Sequence, residues 1–340
     1  MTTPLYCGID LHSNNSVISI QDKSSKQVYE KRLLNDLPTI LKALKPYQQD
    51  LQGCVVESTY NWYGLVDGLM EAGHRVHLAN PAAIQQYNGT KYTNDFTEAR
   101  FLAHLLSLDI LPTGYIYPKA TRGIRDVLRR RLLLVDQRAS QRTSLQSLLA
   151  RHTGKRLSEG QLKKLDSEGL RHLLPIPCAS LIAEALLSMI QSMTEVIEQL
   201  ERAVSTHCVK QKDYELVTGI GGIGKILGAT IALETGTIER FADAGHYLPY
   251  ARCVNTKKIS HGKNKGHNNR KNGNRYLALA FMQAAHLAAI WEPQVKRFYQ
   301  KKQSKSHIMV AKKAVAAKLA RAVYHMLNNQ EPFDVERAFG

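Results

Sequence analysis

Along the first 110 residues, short apolar runs alternate with stretches of helical spacing, and this alternation confines the N-terminal part of the chain to an α/β sheet. Residues 5–11 (LYCGIDL) read as a buried strand, and Val17–Gln21 as a second after a turn at Ser13-Asn14-Asn15. Between Asp36 and Lys45, residues Leu37, Ile40, Leu41 and Leu44 recur at helical intervals, with Asp36 placed to cap the helix and Pro38 near its start. Gly53–Glu57 is another apolar strand ending in an acid, Trp62–Ala72 a helix stopped at Gly73, and Arg75–Ala79 a further strand. Helical spacing returns from Thr97 to Leu108.

After Pro118 the strand signals end. Residues 121–150 place Leu128, Leu132, Leu133, Leu145, Leu148 and Leu149 among many Arg and Gln, Gly169–Pro177 reads as a connector, and Ala179–Val209 is a second long amphipathic stretch. Two long helices joined by a loop predict a helical hairpin or coiled-coil arm. From Asp213 a third region begins, in which VTGIGGIGK precedes the apolar helix Ile226–Glu234. Gly-Ile-Gly between two helices matches a helix-hairpin-helix, whose amides near Gly219, Gly221 and Lys225 would hold a DNA phosphate. Part of a dinucleotide fingerprint is met as well, but no strand precedes it. The expected class is α/β plus α, with domains at 1–119, 120–208 and 209–340.

Charge narrows the partners. Of a net +17, a net +16 lies between Arg252 and Arg321, where 17 Lys or Arg face one acid, Glu292. A field so concentrated attracts a polyanion, nucleic acid first among them. No run reaches the roughly 18 uninterrupted apolar residues of a membrane span, and the N-terminus has no basic and apolar leader. Five scattered cysteines without a CxxC pair predict neither disulfides nor a zinc site, so a reducing cytoplasm is expected.

Asp10 closes the first strand and Glu57 a later one, while Asp95 and Glu98 stand three apart at a helix start. Acids at strand ends project beyond the sheet edge, and acids at i and i+3 share a helix face. Four carboxylates gathered there would repel one another unless cations intervened. Two Mg²⁺ ions would neutralise them and clamp the attacking and leaving oxygens of a phosphodiester, as in ribonuclease-H-like enzymes. Taken singly, each acid could equally be a helix-entry charge or a cap. Gly8-Ile9-Asp10-Leu11 also opens actin-like ATPases, but His12-Ser13-Asn14 lacks the glycine that lets backbone approach phosphate.

The segment 256–274 is polar, with seven Lys or Arg from Lys257 to Arg275 and no acid. It reads either as a phosphate-binding loop in which Ser260 donates a hydrogen bond, or as a nucleophile loop in which cations stabilise the charge developing on an attacked phosphate. Lys257, Lys258, Lys263, Lys265, Arg270, Lys271 and Arg275 are the candidate backbone contacts. Beyond it, basic residues from Lys296 to Arg321 lie beside Phe298 and Tyr299 and along an Ala-rich helix.

Taken in order, GIDLH, VVEST, NDFTEAR, VTGIGGIG and the S-x-G-K loop leading to KNGN resemble the DEDD transposases of insertion-sequence family 110. SHGKNKG, KNGNRYLALAF, KRFYQKK and AKLARAVYHML resemble its 1111 subgroup. The resemblance runs from Tyr6 to about Leu327. It implies a RuvC-like domain binding Mg²⁺ through Asp10, Glu57, Asp95 and Glu98, a coiled-coil arm for dimer and RNA contacts, and a C-terminal domain whose serine falls on Ser260. That serine would form a covalent phosphoserine link to DNA. A noncoding bridge or seeker RNA would choose donor and target duplexes, and dimers would assemble into a tetramer that excises or inserts an element. Glu98 departs from the family, which more often has Asp there. The rival readings are a RuvC-like Holliday-junction nuclease without a serine step, and a non-enzymatic nucleic-acid scaffold. No Arg–His–Arg–Tyr framework supports a tyrosine recombinase.

Overall fold

A computed structural model describes residues 3–81, 83–84, 94–254, 257–267 and 272–340. The chain divides into two compact units, Met1–Lys119 and Ala120–Gly340.

The first unit is built on β1 (Leu5–Leu11), β2 (Asn15–Asp22), β3 (Gln27–Leu34), β4 (Leu51–Glu57), β5 (Val76–Ala79) and β6 (Thr113–Gly114), with α1 (Leu37–Leu44), α2 (Trp62–Glu71) and α3 (Asp95–Ser107). The six strands form one mixed sheet in the order β3-β2-β1-β4-β5-β6. β1 pairs antiparallel with β2 and parallel with β4, in a register that sets Ile9 beside Val56. This arrangement is consistent with a RuvC-like fold. The α1 cap is as expected, with Asp36 accepting from the Thr39 amide.

Strand periodicity determines what each face carries. Cys7, Ile9 and Leu11 of β1 join Cys54 and Val56 of β4 in a core with Ile40, Leu44, Val66 and Leu69 of α1 and α2. The opposite face lies under α3, where Val55 and Ala79 meet Leu102. Gly8 is on that face too. A Cβ there would overlap the carbonyl oxygen of Ala99 and come within 2.8 Å of the Ala103 amide, so the close approach of α3 requires glycine. Asp10 and Glu57, two residues beyond Gly8 and Val55, therefore project from the α3 face.

β3 was not expected from the sequence. It is a charged edge strand, largely exposed, in which Glu30, Lys31 and Arg32 replace the apolar alternation of an inner strand.

The second unit contains the long helices α4 (Lys119–Thr153) and α7 (Pro177–Cys208), with α5 (Glu159–Lys163) and α6 (Ser167–Leu173) between them. Where a connector was expected, α6 forms on an Asp166 cap. Leu145 and Leu149 of α4 share a core with Leu162, Leu170, Leu174, Ala183, Leu187 and Ile190. By length and composition, α7 is apolar enough to cross a membrane, though it also carries Glu184, Glu195, Glu198 and Glu201. The remainder comprises α8 (Lys212–Thr218), α9 (Lys225–Thr235), α10 (Ala244–Tyr250), the hairpin β7 (Lys257–Ser260) and β8 (Lys263–His267), then α11 (Arg275–Trp291), α12 (Pro293–Gln303), α13 (Ile308–Asn329) and α14 (Val335–Phe339). Ala280, Ala284 and Ala288 of α11 and Ala316 and Ala320 of α13 are buried together, and small side chains suit close helix approach. All five cysteines are free thiols.

Candidate active site and nucleic-acid interface

At the carboxyl ends of β1 and β4, Asp10, Glu57 and Glu98 present ligand atoms all within 4.8 Å of one another. Parallel pairing of β1 with β4 brings the first two together, and α3 supplies the third from its first turn. The Asn94 capping box, in which Asn94 and Thr97 exchange hydrogen bonds, starts α3 at Asp95. Asp10 is 1% exposed, and among the described residues neither of its carboxylate oxygens has a hydrogen-bond partner. A buried anion in that state is costly, and its electrostatics respond: burial, then the neighbouring Glu57, push Asp10 from 3.8 to about 7. Burial and the Glu57 and Asp95 carboxylates raise Glu98 as well. The set fits a hard divalent cation, since it offers oxygen ligands and an uncompensated negative charge.

Asp95, the fourth expected member, is placed differently. Its Oδ2 accepts from Arg32 Nη2 at 2.5 Å, and His12 Nε2 lies 3.2 Å away. The Arg32 hydrogen bond holds Asp95 below the usual carboxylate range. Arg32 in turn donates to Asn15 Oδ1 at 2.8 Å. His12 and Arg32 were absent from the sequence-derived site. The signal for His12 is its spacing, two residues past Asp10 and hence on the same strand face; Arg32 lies on the strand that was not foreseen.

In the second unit, the expected polar loop forms a β-hairpin around Ser260. Ser260 pairs with Lys263, and the two intervening residues, His261 and Gly262, have φ of 51° and 70°. Positive φ at both positions is what a two-residue type I′ turn requires. Ser260 is thus the last strand residue before a tight turn. Lys257 and Lys258 lie on β7, while Lys263 and Lys265 on β8 are exposed. Arg270 and Lys271 fall outside the described residues.

The base of this segment is tied down. Arg252 Nε donates to the carbonyls of Asn272 and Gly273, at 3.0 and 3.1 Å. Gly273 has φ of 87°, and a Cβ there would approach the Pro249 carbonyl at 2.9 Å. Asn274 caps α11 through Oδ1 and donates from Nδ2 to Glu234 Oε2 at 2.7 Å. Glu234, 1% exposed, also receives Arg129 through both oxygens, at 2.6 and 2.8 Å, and Arg125 at 3.2 Å. Burial alone would raise Glu234, but the Arg129 hydrogen bond and the two guanidinium charges hold it below its ordinary value. An acid inside the apolar α9 is the sequence signal for this buried network. Arg275 begins α11 and donates from Nη2 to the Tyr276 hydroxyl at 2.9 Å.

The glycine-rich turn lies between α8 and α9. Gly219 caps α8, whereas Gly221 abuts the Glu292 carboxylate and Gly222, with φ of 87°, packs on the backbone of Leu287 and Ala288. Lys225 is exposed at the first position of α9. Gly221 and Gly222 thus serve close packing, and Glu292 adds negative charge beside Gly221.

No curated protein matches the chain. The DEDD transposase domain of the IS110 group is matched by residues 7–153, and the transposase IS116/IS110/IS902 family by residues 214–300. The two matches take in the acidic cluster and the Ser260 hairpin in turn. The chain therefore belongs to the IS110 family of transposases and is an enzyme of DNA transposition.

Proposed function

We propose that the protein is an RNA-guided recombinase of the 1111 subgroup, which excises and inserts its element with an acidic Mg²⁺ site and a serine nucleophile. The observation that carries this reading is the buried Asp10 carboxylate, without a hydrogen-bond partner among the described residues, beside Glu57 and Glu98. Asp10, Glu57, Glu98 and Asp95 would hold one or two Mg²⁺ ions, which when bound supply charge neutralisation and Lewis-acid polarisation of phosphate oxygens.

Ser260 is assigned the nucleophile. Its Oγ bonds to phosphorus, one P–O ester bond breaks, the serine proton is lost, and the departing sugar oxygen takes up a proton to become a hydroxyl. Because one phosphodiester replaces another, rejoining needs no external energy source. A strand-end position next to a tight turn presents a residue on a regular, hydrogen-bonded element, which suits a nucleophile better than an irregular loop. Lys257, Lys258, Lys263, Lys265, Arg270, Lys271 and Arg275 hold phosphates around it, and Gly219, Gly221 and Lys225 offer a further backbone contact in the manner of a helix-hairpin-helix. In this reading α4 and α7 form the coiled-coil arm, residues 120–208 separate a RuvC-like domain (1–119) from a transposase domain (209–340), and dimers join into a tetramer around donor and target duplexes. A bridge or seeker RNA selects the sites.

The competing reading is a RuvC-like nuclease, which the acidic cluster alone would serve. The two separate on incubation of protein, element-end RNA, donor and target DNA, and Mg²⁺. A denaturation-resistant protein–DNA adduct, absent from Ser260→Ala and dependent on the RNA, supports the recombinase. DNA cleavage without an adduct, retained in Ser260→Ala, supports the nuclease.

A further inference from the structure

The triad of Asp10, Glu57 and Glu98 does not account for all the polar groups gathered at the end of β1. A second triad, Asp10, His12 and Asp95, also has its ligand atoms within 4.8 Å of one another. His12 Nε2 lies 3.1 Å from Asp10 Oδ2 and 3.2 Å from Asp95 Oδ2. The approach to Asp10 is not a hydrogen bond: among the described residues, His12 Nε2 and both Asp10 oxygens are buried atoms without a hydrogen-bond partner. Asp10 is 1% exposed, so solvent does not readily satisfy it. Unmet buried polar atoms of this kind are rare in folded proteins and point to an absent ligand.

The backbone that carries the imidazole is also held in place. The His12 carbonyl accepts from Asn35 Nδ2 at 2.8 Å and Asn61 Nδ2 at 2.9 Å, and its amide donates to the Asn15 carbonyl at 3.0 Å. Three elements thus fix the backbone of this one residue, as expected where a side chain must meet a geometric demand. Asp95 is steadied in turn by Arg32, itself bonded to Asn15.

We propose that Asp10, His12 and Asp95 form a second cation site sharing Asp10 with the all-carboxylate site, and that the His12 nitrogen tunes it toward first-row transition ions such as Mn²⁺ over Mg²⁺. Carboxylate oxygens suit Mg²⁺ and Mn²⁺ alike, whereas an imidazole nitrogen favours the transition ion. Mg²⁺ prefers oxygen ligands and retained water. Asp10, common to both triads, is the natural bridge. This inference rests on the metal-dependent reading of the cluster and goes beyond it in naming His12 as a ligand and metal preference as its consequence.

The experiment is Mn²⁺ titration of the full-length chain followed by electron paramagnetic resonance, with pulsed detection of nitrogen coupling. Expected are two Asp10-dependent Mn²⁺ per chain, one showing ¹⁴N coupling. His12→Gln should lose that coupling and weaken one site about tenfold or more, leaving the other unchanged. The wild-type spectrum tests the claim even if a variant folds poorly. Asp10-dependent Mn²⁺ binding without ¹⁴N coupling, or coupling that survives in His12→Gln, overturns the His12 assignment and leaves the carboxylate site standing. Absence of any Asp10-dependent binding overturns the metal-dependent reading itself.

Discussion

Replacing Asp10 with Asn should stabilise the cation-free protein above neutral pH and remove its stabilisation by divalent cations. Asp10 is raised from 3.8 to about 7 by burial and by Glu57. The folded state therefore holds this proton more tightly than the unfolded chain. The sign follows: Asp10 ionises first in the unfolded state, so stability falls as pH rises from about 4 to 7 and levels off above 7. At about 1.4 kcal/mol per pH unit, the interval from 3.8 to about 7 sets a ceiling of about 4 kcal/mol. His12 and Asp95 beside it are 38% and 35% exposed, so solvent screening at the rim reduces the effect to about 1–2 kcal/mol. In a unit of this size that corresponds to about 4–8 °C in Tm. A cation at 100 times its Kd would add about 2.7 kcal/mol to the wild type and nothing comparable to Asp10→Asn. Thermal unfolding of both proteins at pH 5 and pH 8, with and without Mg²⁺, gives eight Tm values. Equal Tm values at pH 8, with equal responses to cation, would refute the claim that Asp10 is a buried carboxylate that binds a divalent cation.

Three further perturbations test other parts of the structure. Gly8→Ala forces a methyl group into the backbone of α3 at Ala99 and Ala103; it should cost about 3 kcal/mol and, by displacing Glu98, weaken divalent-cation binding, as titration calorimetry would record. Glu234→Ala leaves Arg125, Arg129 and Asn274 without their shared acceptor; denaturant unfolding should show a loss of about 3–5 kcal/mol. Because Glu234 is held below its ordinary pKa, the stability it contributes is present at neutral pH and lost as pH falls through its folded value. The difference between wild type and Glu234→Gln should accordingly narrow on acidification.

Much of the first unit was legible because strand and helix periodicities there are clean. β1 and β4 announce themselves as apolar runs ending in acids, and their parity places Asp10 and Glu57 beside α3. What escaped has a physical cause in each case. β3 is an edge strand whose Glu30, Lys31 and Arg32 keep it soluble and free of alternation, so Arg32 and its hold on Asp95 were invisible. The gathering of four carboxylates was expected of residue type and order; pairing decided that Asp95 turns to Arg32 and His12 instead. The Ser260 hairpin read as a loop because its strands are short and cationic, although His261-Gly262 is a workable turn. The role of Gly221 and Gly222 in packing on Glu292 and α11 depends on contacts some 70 residues apart, which no local pattern reveals.

The most direct measurement is to map the covalent bond itself. After reaction with element-end RNA, donor and target DNA and Mg²⁺, the protein–DNA adduct is isolated under denaturing conditions, digested, and sequenced by mass spectrometry. A nucleotide esterified to Ser260 is expected in the peptide spanning Ile259–Lys263, formed by wild type and absent from Asp10→Asn. A nucleotide on another residue, or cleaved DNA with no linked peptide, would contradict it.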